Sequence, residues 1–295
     1  MRISIWKIPG MHDILDTLRS TMKGFFRPEM YKLLVLDIDD TLTTAASREI
    51  PARNLAAIRR ARQAGIHTTV ATGRGYLGAS YIWRKLGIQG PVINYGGALV
   101  MDTRTDKPIH TTEVPPELVA EVFELAAEAN LHVHLYQGDT VVYEKESVYG
   151  EAYANKLGLP HLVDPEIRHK SWHNVPKVLI VTEDERAKSM IPDLQKQYAG
   201  RLKVSGSSPG FIEFNNPAAH KGSATAFVAE YLGFTQAETV AVGDNSLDLE
   251  MIRWAGLGCA VGNAEPEIRA AADLILPPCE DMAVEYLIDN VLLKG

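Results

Sequence analysis

Residues 33–36 read Leu-Leu-Val-Leu, and the five that follow read Asp-Ile-Asp-Asp-Thr. So uniform an apolar run leaves no wet face, which predicts a β-strand buried on both sides. Carboxylates are costly to bury unless they are paired or bound to a metal. Asp37, Asp39 and Asp40 are therefore expected just beyond the strand's carboxyl end, where open α/β sheets bind ligands. Asp37 and Asp39 are two apart, so in extended chain their side chains share a face. Two converging carboxylates suit a hard divalent cation such as Mg²⁺, or a nucleophile beside a proton donor. Asp and Thr are also common turn residues, and taken alone the motif fits a polar turn equally well.

The pattern of a buried strand ending in polar residues returns downstream. Residues 51–64 have helical periodicity, with Pro51 at the start and Gly65 as the stop. A strand over 66–71 then ends in Thr72-Gly73-Arg74-Gly75, ahead of a helix near 76–86. A hydroxyl, glycines and a helix N-terminus together suit phosphate binding. A third strand is expected at 91–94, and Gly96-Gly97 opens a hairpin to about 112. Past residue 213, His220-Lys221-Gly222 starts a helical run. Residues 239–242 form another apolar strand, ending in Gly243-Asp244-Asn245-Ser246-Leu247-Asp248. A helix beginning near Asn245 brings Asp248 back toward that strand end. Strands over 260–264 and 273–276 and a helix over 281–292 complete the set. This alternation predicts an α/β fold with a doubly wound, Rossmann-like parallel sheet, built from residues 31–112 and 213–295.

Residues 113–212 have a different rhythm. Helical patterns at 116–130, 147–157 and 184–199 alternate with strand patterns at 131–136, 140–144, 176–182 and 201–205. Two consecutive strands without a helix between them predict an antiparallel sheet, hence an inserted α+β domain. Residues 111–115 and 205–210 read as its linkers. Within it, His132, His134 and Tyr136 alternate with Leu131, Val133 and Leu135, a polar and aromatic face that fits a substrate-facing or metal-binding surface and fits better the wet outer face of a half-buried sheet. Residues 1–30 stand apart. Met11, Ile14, Leu15, Leu18, Met22 and Phe25 line one face of an amphipathic helix. That helix fits docking on the domain, pairing with another chain, lying on a membrane surface (against which its mixed-charge polar face argues), or an extension ahead of a start at Met30.

Composition narrows the classes. The 295 residues are 46% hydrophobic and 23% charged, as in ordinary globular proteins. A net charge of −7 and no Lys/Arg run argue against nucleic acid as a partner. No apolar stretch is long enough for an integral membrane segment. Cys259 and Cys279 show neither metal-ligand spacing nor a disulfide framework, which fits a reducing, cytoplasmic setting.

Two strand ends with Asp pairs, a third with Thr-Gly-Arg, and a lysine opening a helix between them closely resemble the haloacid dehalogenase (HAD) superfamily of phosphotransferases. Asp37–Thr41, Thr72, Lys221, and Asp244 with Asp248 match its four motifs in order. The insertion between the second and third motifs resembles the Cof-type branch with a C2 cap. The resemblance implies a Mg²⁺-dependent phosphatase of small phosphorylated metabolites. Sugar phosphates lead, and nucleotide-like or cofactor phosphates follow. Asp37 is then the nucleophile, Asp39 the general acid and base, and Lys221 the residue that offsets charge repulsion. Ile38, Thr72, Gly73 and Lys221 hold the phosphoryl group. Asp37, the main-chain carbonyl of Asp39, Asp244 and Asp248 (directly or through water) serve the metal. The chain departs from the family pattern at Asp40, where glycine is usual, at Leu247, where asparagine is usual, and at Gly96, where an Asn-Gly pair is usual. A phosphometabolite-binding protein with little turnover and a phosphomutase are the competing readings.

Overall fold

The computed structural model describes residues 31–44, 46–206 and 208–294. The helix expected over residues 1–30 lies outside them. The first half of the chain runs β1 (Leu33–Leu36), α1 (Ala52–Gln63), β2 (His67–Val70), α2 (Tyr76–Leu86), β3 (Pro91–Asn94), β4 (Leu99–Asp102) and β5 (Lys107–Thr111). It continues through α3 (Pro116–Glu128), β6 (His132–Gln137), β7 (Thr140–Tyr143), α4 (Val148–Leu157), β8 (His161–Val163), β9 (Val178–Val181), α5 (Asp184–Gln197), β10 (Lys203–Ser205) and β11 (Phe211–Asn215). It closes with α6 (Lys221–Leu232), β12 (Thr239–Gly243), α7 (Leu249–Trp254), β13 (Leu257–Ala260), α8 (Pro266–Ala271), β14 (Leu274–Ile275) and α9 (Ala283–Leu287).

Five parallel strands form the core sheet, in the order β14-β13-β12-β1-β2. β1 lies in its interior, and all four of its residues are fully buried. Leu34 and Leu36 pack on one face with Ala57 and Ile58 of α1 and Val284 and Leu287 of α9. Leu33 and Val35 pack on the other with Ala224 and Val228 of α6 and Met251 of α7. Helices thus cover both faces, and the uniform apolar run is what a strand with no wet face requires.

A second sheet of six strands has the order β10-β11-β9-β6-β7-β8, antiparallel except where β7 meets β8. It corrects the expected segmentation in two places. The linker expected at 205–210 starts inside β10 and lies between β10 and β11, two antiparallel neighbours in one sheet, so it does not join two domains. The expected division at 212/213 falls inside β11, whose residues pair with β9 and β10 as far as Asn215. A β-strand read without its partners carries no mark of the sheet it will join.

β3 pairs with β4 and β4 with β5 in a small antiparallel sheet. A single parallel bridge, Ala71 to Ile93, ties it to the end of β2. Gly96 and Gly97 have φ of +64° and +105°, which turn the chain straight back onto β3. The strand expected over 260–264 ends at Ala260 instead, because residues 262–264 turn. Among the described residues no helix is long and apolar enough to cross a membrane.

Candidate active site

The carboxyl ends of β1, β2 and β12 meet at one point, as parallel strands in adjacent register must. Leu36 pairs with Val70 on one side and Val242 on the other. The residues just beyond these pairs are Asp37, Ala71-Thr72 and Gly243-Asp244. The Asp37 amide donates to the Val242 carbonyl at 2.9 Å, which fixes the carboxylate at the strand end. The start of α6 supplies Lys221. Its N-cap is His220, whose side chain accepts from the Ser223 amide in a capping box.

Lys221 is 1% exposed, and its Nζ lies 2.5 Å from Asp37 Oδ1 and 2.6 Å from Asp248 Oδ1. Asp248 Oδ2 accepts from the Asp244 and Asn245 amides at 2.9 and 3.2 Å. Both Asp248 oxygens are thus engaged, and the short helical turn Ser246–Asp248 is tied back onto the end of β12, as its spacing from Asp244 suggested. Asp244 Oδ1 accepts from the Thr41 hydroxyl at 3.2 Å and from the Asn245 side-chain Nδ2 at 3.1 Å.

The electrostatics are those of a cation site. Burial, and after it the charge of Asp248, push the Asp37 carboxyl well above the usual carboxylate range. Asp244 is pushed up to about 6, first by burial and then by Asp248. Burial alone would pull the Lys221 ammonium down, but Asp248 and Asp37 outweigh it and raise it. Three carboxylates, Asp37, Asp244 and Asp248, bring ligand atoms within 4.8 Å of one another, and two of them, Asp37 and Asp248, share one lysine. Asp37 Oδ2 is buried and has no hydrogen-bond partner. An orphaned carboxylate oxygen inside an acidic cluster fits a hard divalent cation.

Asp39 sits apart from that cluster. Its carboxylate is held by Arg74 through a fork, Nη2 to Oδ1 at 2.5 Å and Nε to Oδ2 at 2.9 Å. The residue between the two, Ile38, is fully buried, and its carbonyl accepts from the Leu42 and Thr43 amides. Thr72 is also buried, and its hydroxyl accepts from the Arg74 amide at 3.2 Å.

A cavity of about 780 Å³ opens over these groups. Asp37, Asp39, Thr72, Gly73, Arg74 and Lys221 line one side, with Asn245 and Leu247 at its edge. Tyr153, Ser208, Pro209, Phe211 and Glu213 of the second sheet and its helices line the other. Five predicted residues, Asp37, Asp39, Thr72, Gly73 and Lys221, therefore converge on one cavity. Asp244 and Asp248 belong to the cluster around Asp37 but do not line the cavity, and neither does Ile38. Asp40 does not line it either. Its φ of +58° lies in the left-handed region, which accounts for glycine being usual there and which aspartate tolerates better than most residues.

Arg74 was visible as part of a turn but not as the partner of Asp39, because nothing in the spacing joins residues 35 apart. Tyr153, Phe211 and Glu213 gave no signal at all. The reading of His132, His134 and Tyr136 as a wet outer face is overturned. His134 is fully buried and Tyr136 is 1% exposed, since this face packs toward Tyr95 and Tyr153. The histidines satisfy one another, with His132 Nε2 3.1 Å from His134 Nδ1.

A family model described as haloacid dehalogenase-like hydrolase matches residues 34–288. An HMP-PP phosphatase from Serratia proteamaculans is 28% identical over 265 residues, which cover 89% of this chain and 96% of that one. Among solved structures, a haloacid dehalogenase-like hydrolase from Bacteroides thetaiotaomicron is similar with a TM-score of 0.76 and 28% identity, over 88% of this chain and 99% of that one. TM0651 from Thermotoga maritima is similar with a TM-score of 0.79 and 26% identity, over 89% and 98% of the two chains.

Proposed function

The chain belongs to the haloacid dehalogenase-like hydrolase family, and on that premise we propose that it is a Mg²⁺-dependent phosphatase of small phosphorylated metabolites, with sugar phosphates first among them. The observation that carries this reading is the buried Asp37 carboxylate. Lys221 grips one of its oxygens, the other has no partner, and Thr72 and Gly73 share its cavity.

Asp37 attacks phosphorus through a carboxylate oxygen, and the bond from phosphorus to the leaving oxygen breaks. Asp39 gives its proton to that oxygen. Water then attacks the aspartyl-phosphate, Asp39 takes back a proton, and Asp37 is released as a carboxylate beside free phosphate. The fork from Arg74 has to loosen for Asp39 to deliver its proton, so the arriving substrate competes with Asp39 for Arg74. Thr72 and the Gly73 amide hold the phosphoryl oxygens. Lys221 offsets the repulsion between Asp37 and the anionic phosphoryl group.

Asp37, Asp244 and the main-chain carbonyl of Asp39 would hold the cation. Asp248, with both oxygens already engaged, acts by fixing Lys221 and the Asp244 amide. Bound Mg²⁺ supplies charge neutralisation and orientation of the phosphoryl group.

The test is phosphate release from p-nitrophenyl phosphate and a panel of sugar phosphates, with Mg²⁺ and with chelator. Turnover is expected in Mg²⁺ alone, and Asp37→Asn is expected to lower it at least about a thousandfold, or ~4 kcal/mol. Equal inactivity of both proteins, with a phosphorylated ligand still bound, would replace this reading with that of a binding protein.

A further inference from the structure

The cavity wall opposite the strand ends carries two aromatic rings and one carboxylate, beside Ser208 and Pro209. Tyr153 of α4 and Phe211 of β11 meet edge to face, with ring centroids 5.5 Å apart and planes at 63°. The Tyr153 hydroxyl is bound to the Tyr136 hydroxyl, which fixes the ring in place against Phe211. Behind it the hydrogen bonds continue from Tyr136 through His134 and His132 to Ser147, at 3.4, 3.1 and 2.7 Å. Ser147 is the N-cap of α4, the helix that carries Tyr153. The ring is therefore held through its hydroxyl and through its own helix by a chain of polar groups, of which His134 and Tyr136 are buried.

Glu213 is fixed in the same manner. Lys177, 8% exposed, reaches Glu213 Oε1 at 2.8 Å. The same ammonium lies 5.2 Å from the Tyr136 ring centroid and 5.8 Å from that of Tyr95. For stability alone, an apolar pair of similar volume does as well as a buried ion pair, or better. What the ion pair adds here is a charged acceptor beside the two rings. A carboxylate has about four acceptor sites, so partners within the protein and a donor on a ligand can share it.

We propose that Tyr153, Phe211 and Glu213 form the leaving-group subsite, and that it takes phosphomonoesters whose leaving group is a ring bearing a hydroxyl or amino donor. The ring lies against Tyr153 and Phe211, and its donor bonds to Glu213. An apolar wall with one placed polar group is the ordinary make-up of a small-molecule site, and about 780 Å³ is of the usual size. Both a sugar and a nitrogen heterocycle have this chemistry. The inference rests on the phosphatase reading.

The experiment measures competitive Ki values against p-nitrophenyl phosphate turnover in Mg²⁺ for four esters. Glucose 6-phosphate and pyridoxine 5′-phosphate have a ring and donors, phenyl phosphate a ring alone, and glycerol 3-phosphate donors alone. At least one of the first two is expected to bind about tenfold or more tighter than both of the others, the size of a charge-assisted hydrogen bond. Which one does so identifies the ring. Glu213→Gln is expected to shrink the advantage over phenyl phosphate, and Tyr153→Ala the advantage over glycerol 3-phosphate. Equal Ki values for all four esters in the wild type overturn the subsite, and this arm needs no variant to fold. Equal weakening of phenyl phosphate and of the donor-bearing esters by Glu213→Gln also overturns it. A wild type that does not turn over p-nitrophenyl phosphate at all overturns the phosphatase reading itself, and the subsite with it.

Discussion

Lys221 concentrates the physics of the site in one side chain. A lysine at 1% exposure survives only because two carboxylates take up its charge. Its removal leaves Asp37 and Asp248 buried without a cation. Lys221→Met is therefore expected to cost about 3–5 kcal/mol of stability in chelator, read as a lower urea midpoint. Adding Asp248→Asn is expected to restore part of that loss, because one of the two stranded charges disappears. A single variant within 1 kcal/mol of wild type would show that Lys221 is not the counter-charge it is taken for. Asp37, Asp39, Lys221 and Asp244 were legible in the sequence because each follows a readable strand or opens a readable helix. Glu213 and Tyr153 lie inside a strand and a helix, where nothing local separates a cavity residue from a surface one.

Elements position these side chains through contacts made backbone to backbone. The turn after β3 is pressed against the start of α6, so that a Cβ on Gly97 would lie 2.3 Å from the carbonyl of His220. Gly97 also has φ of +105°, which costs any other residue further strain. Gly97→Ala is expected to lose about 3 kcal/mol of stability. It is also expected to lose up to about a hundredfold in kcat, through displacement of Lys221 by an ångström or less. Unchanged stability and turnover together would contradict this packing. The tie between β6 and α4 is instead sensitive to pH. Burial lowers the pKa of His132 from 6.5 to about 4, so the folded protein holds it neutral between those values while the unfolded chain protonates it. Its contribution is therefore complete above about pH 6.5 and is lost as pH falls toward 4, up to roughly 3 kcal/mol. The groups facing it are His134, Tyr143, Tyr149 and Ser147. Unfolding by urea at pH 7 and pH 4.5 is expected to show a smaller acid loss in His132→Gln than in wild type, whereas parallel profiles would remove His132 from that account.

The two sheets are joined beside the site by the hairpin between β6 and β7. Asp139 at its tip accepts from the Leu77 amide at 2.8 Å, in the first turn of α2, and from the Tyr95 hydroxyl at 3.0 Å. The Tyr95 amide in turn donates to the Arg74 carbonyl at 3.0 Å. One carboxylate from the inserted sheet thus grips both flanks of the Thr72–Gly75 loop. Asp139→Ala removes a helix N-terminal acceptor worth about 0.5–2 kcal/mol. Hydrogen exchange of the Leu77 amide is expected to quicken roughly tenfold, and Ki for inorganic phosphate to rise. Unaltered exchange would mean that the hairpin does not hold the loop. The parallel core and its strand-end carboxylates were present in the chain before folding, because a run of buried aliphatics and the cost of burying charge act locally. The membership of β11, the fork of Arg74 on Asp39, the burial of His134 and the wall of Tyr153, Phe211 and Glu213 were not. Each joins residues tens of positions apart, and such a pairing acquires its energy only when the partners are brought into contact.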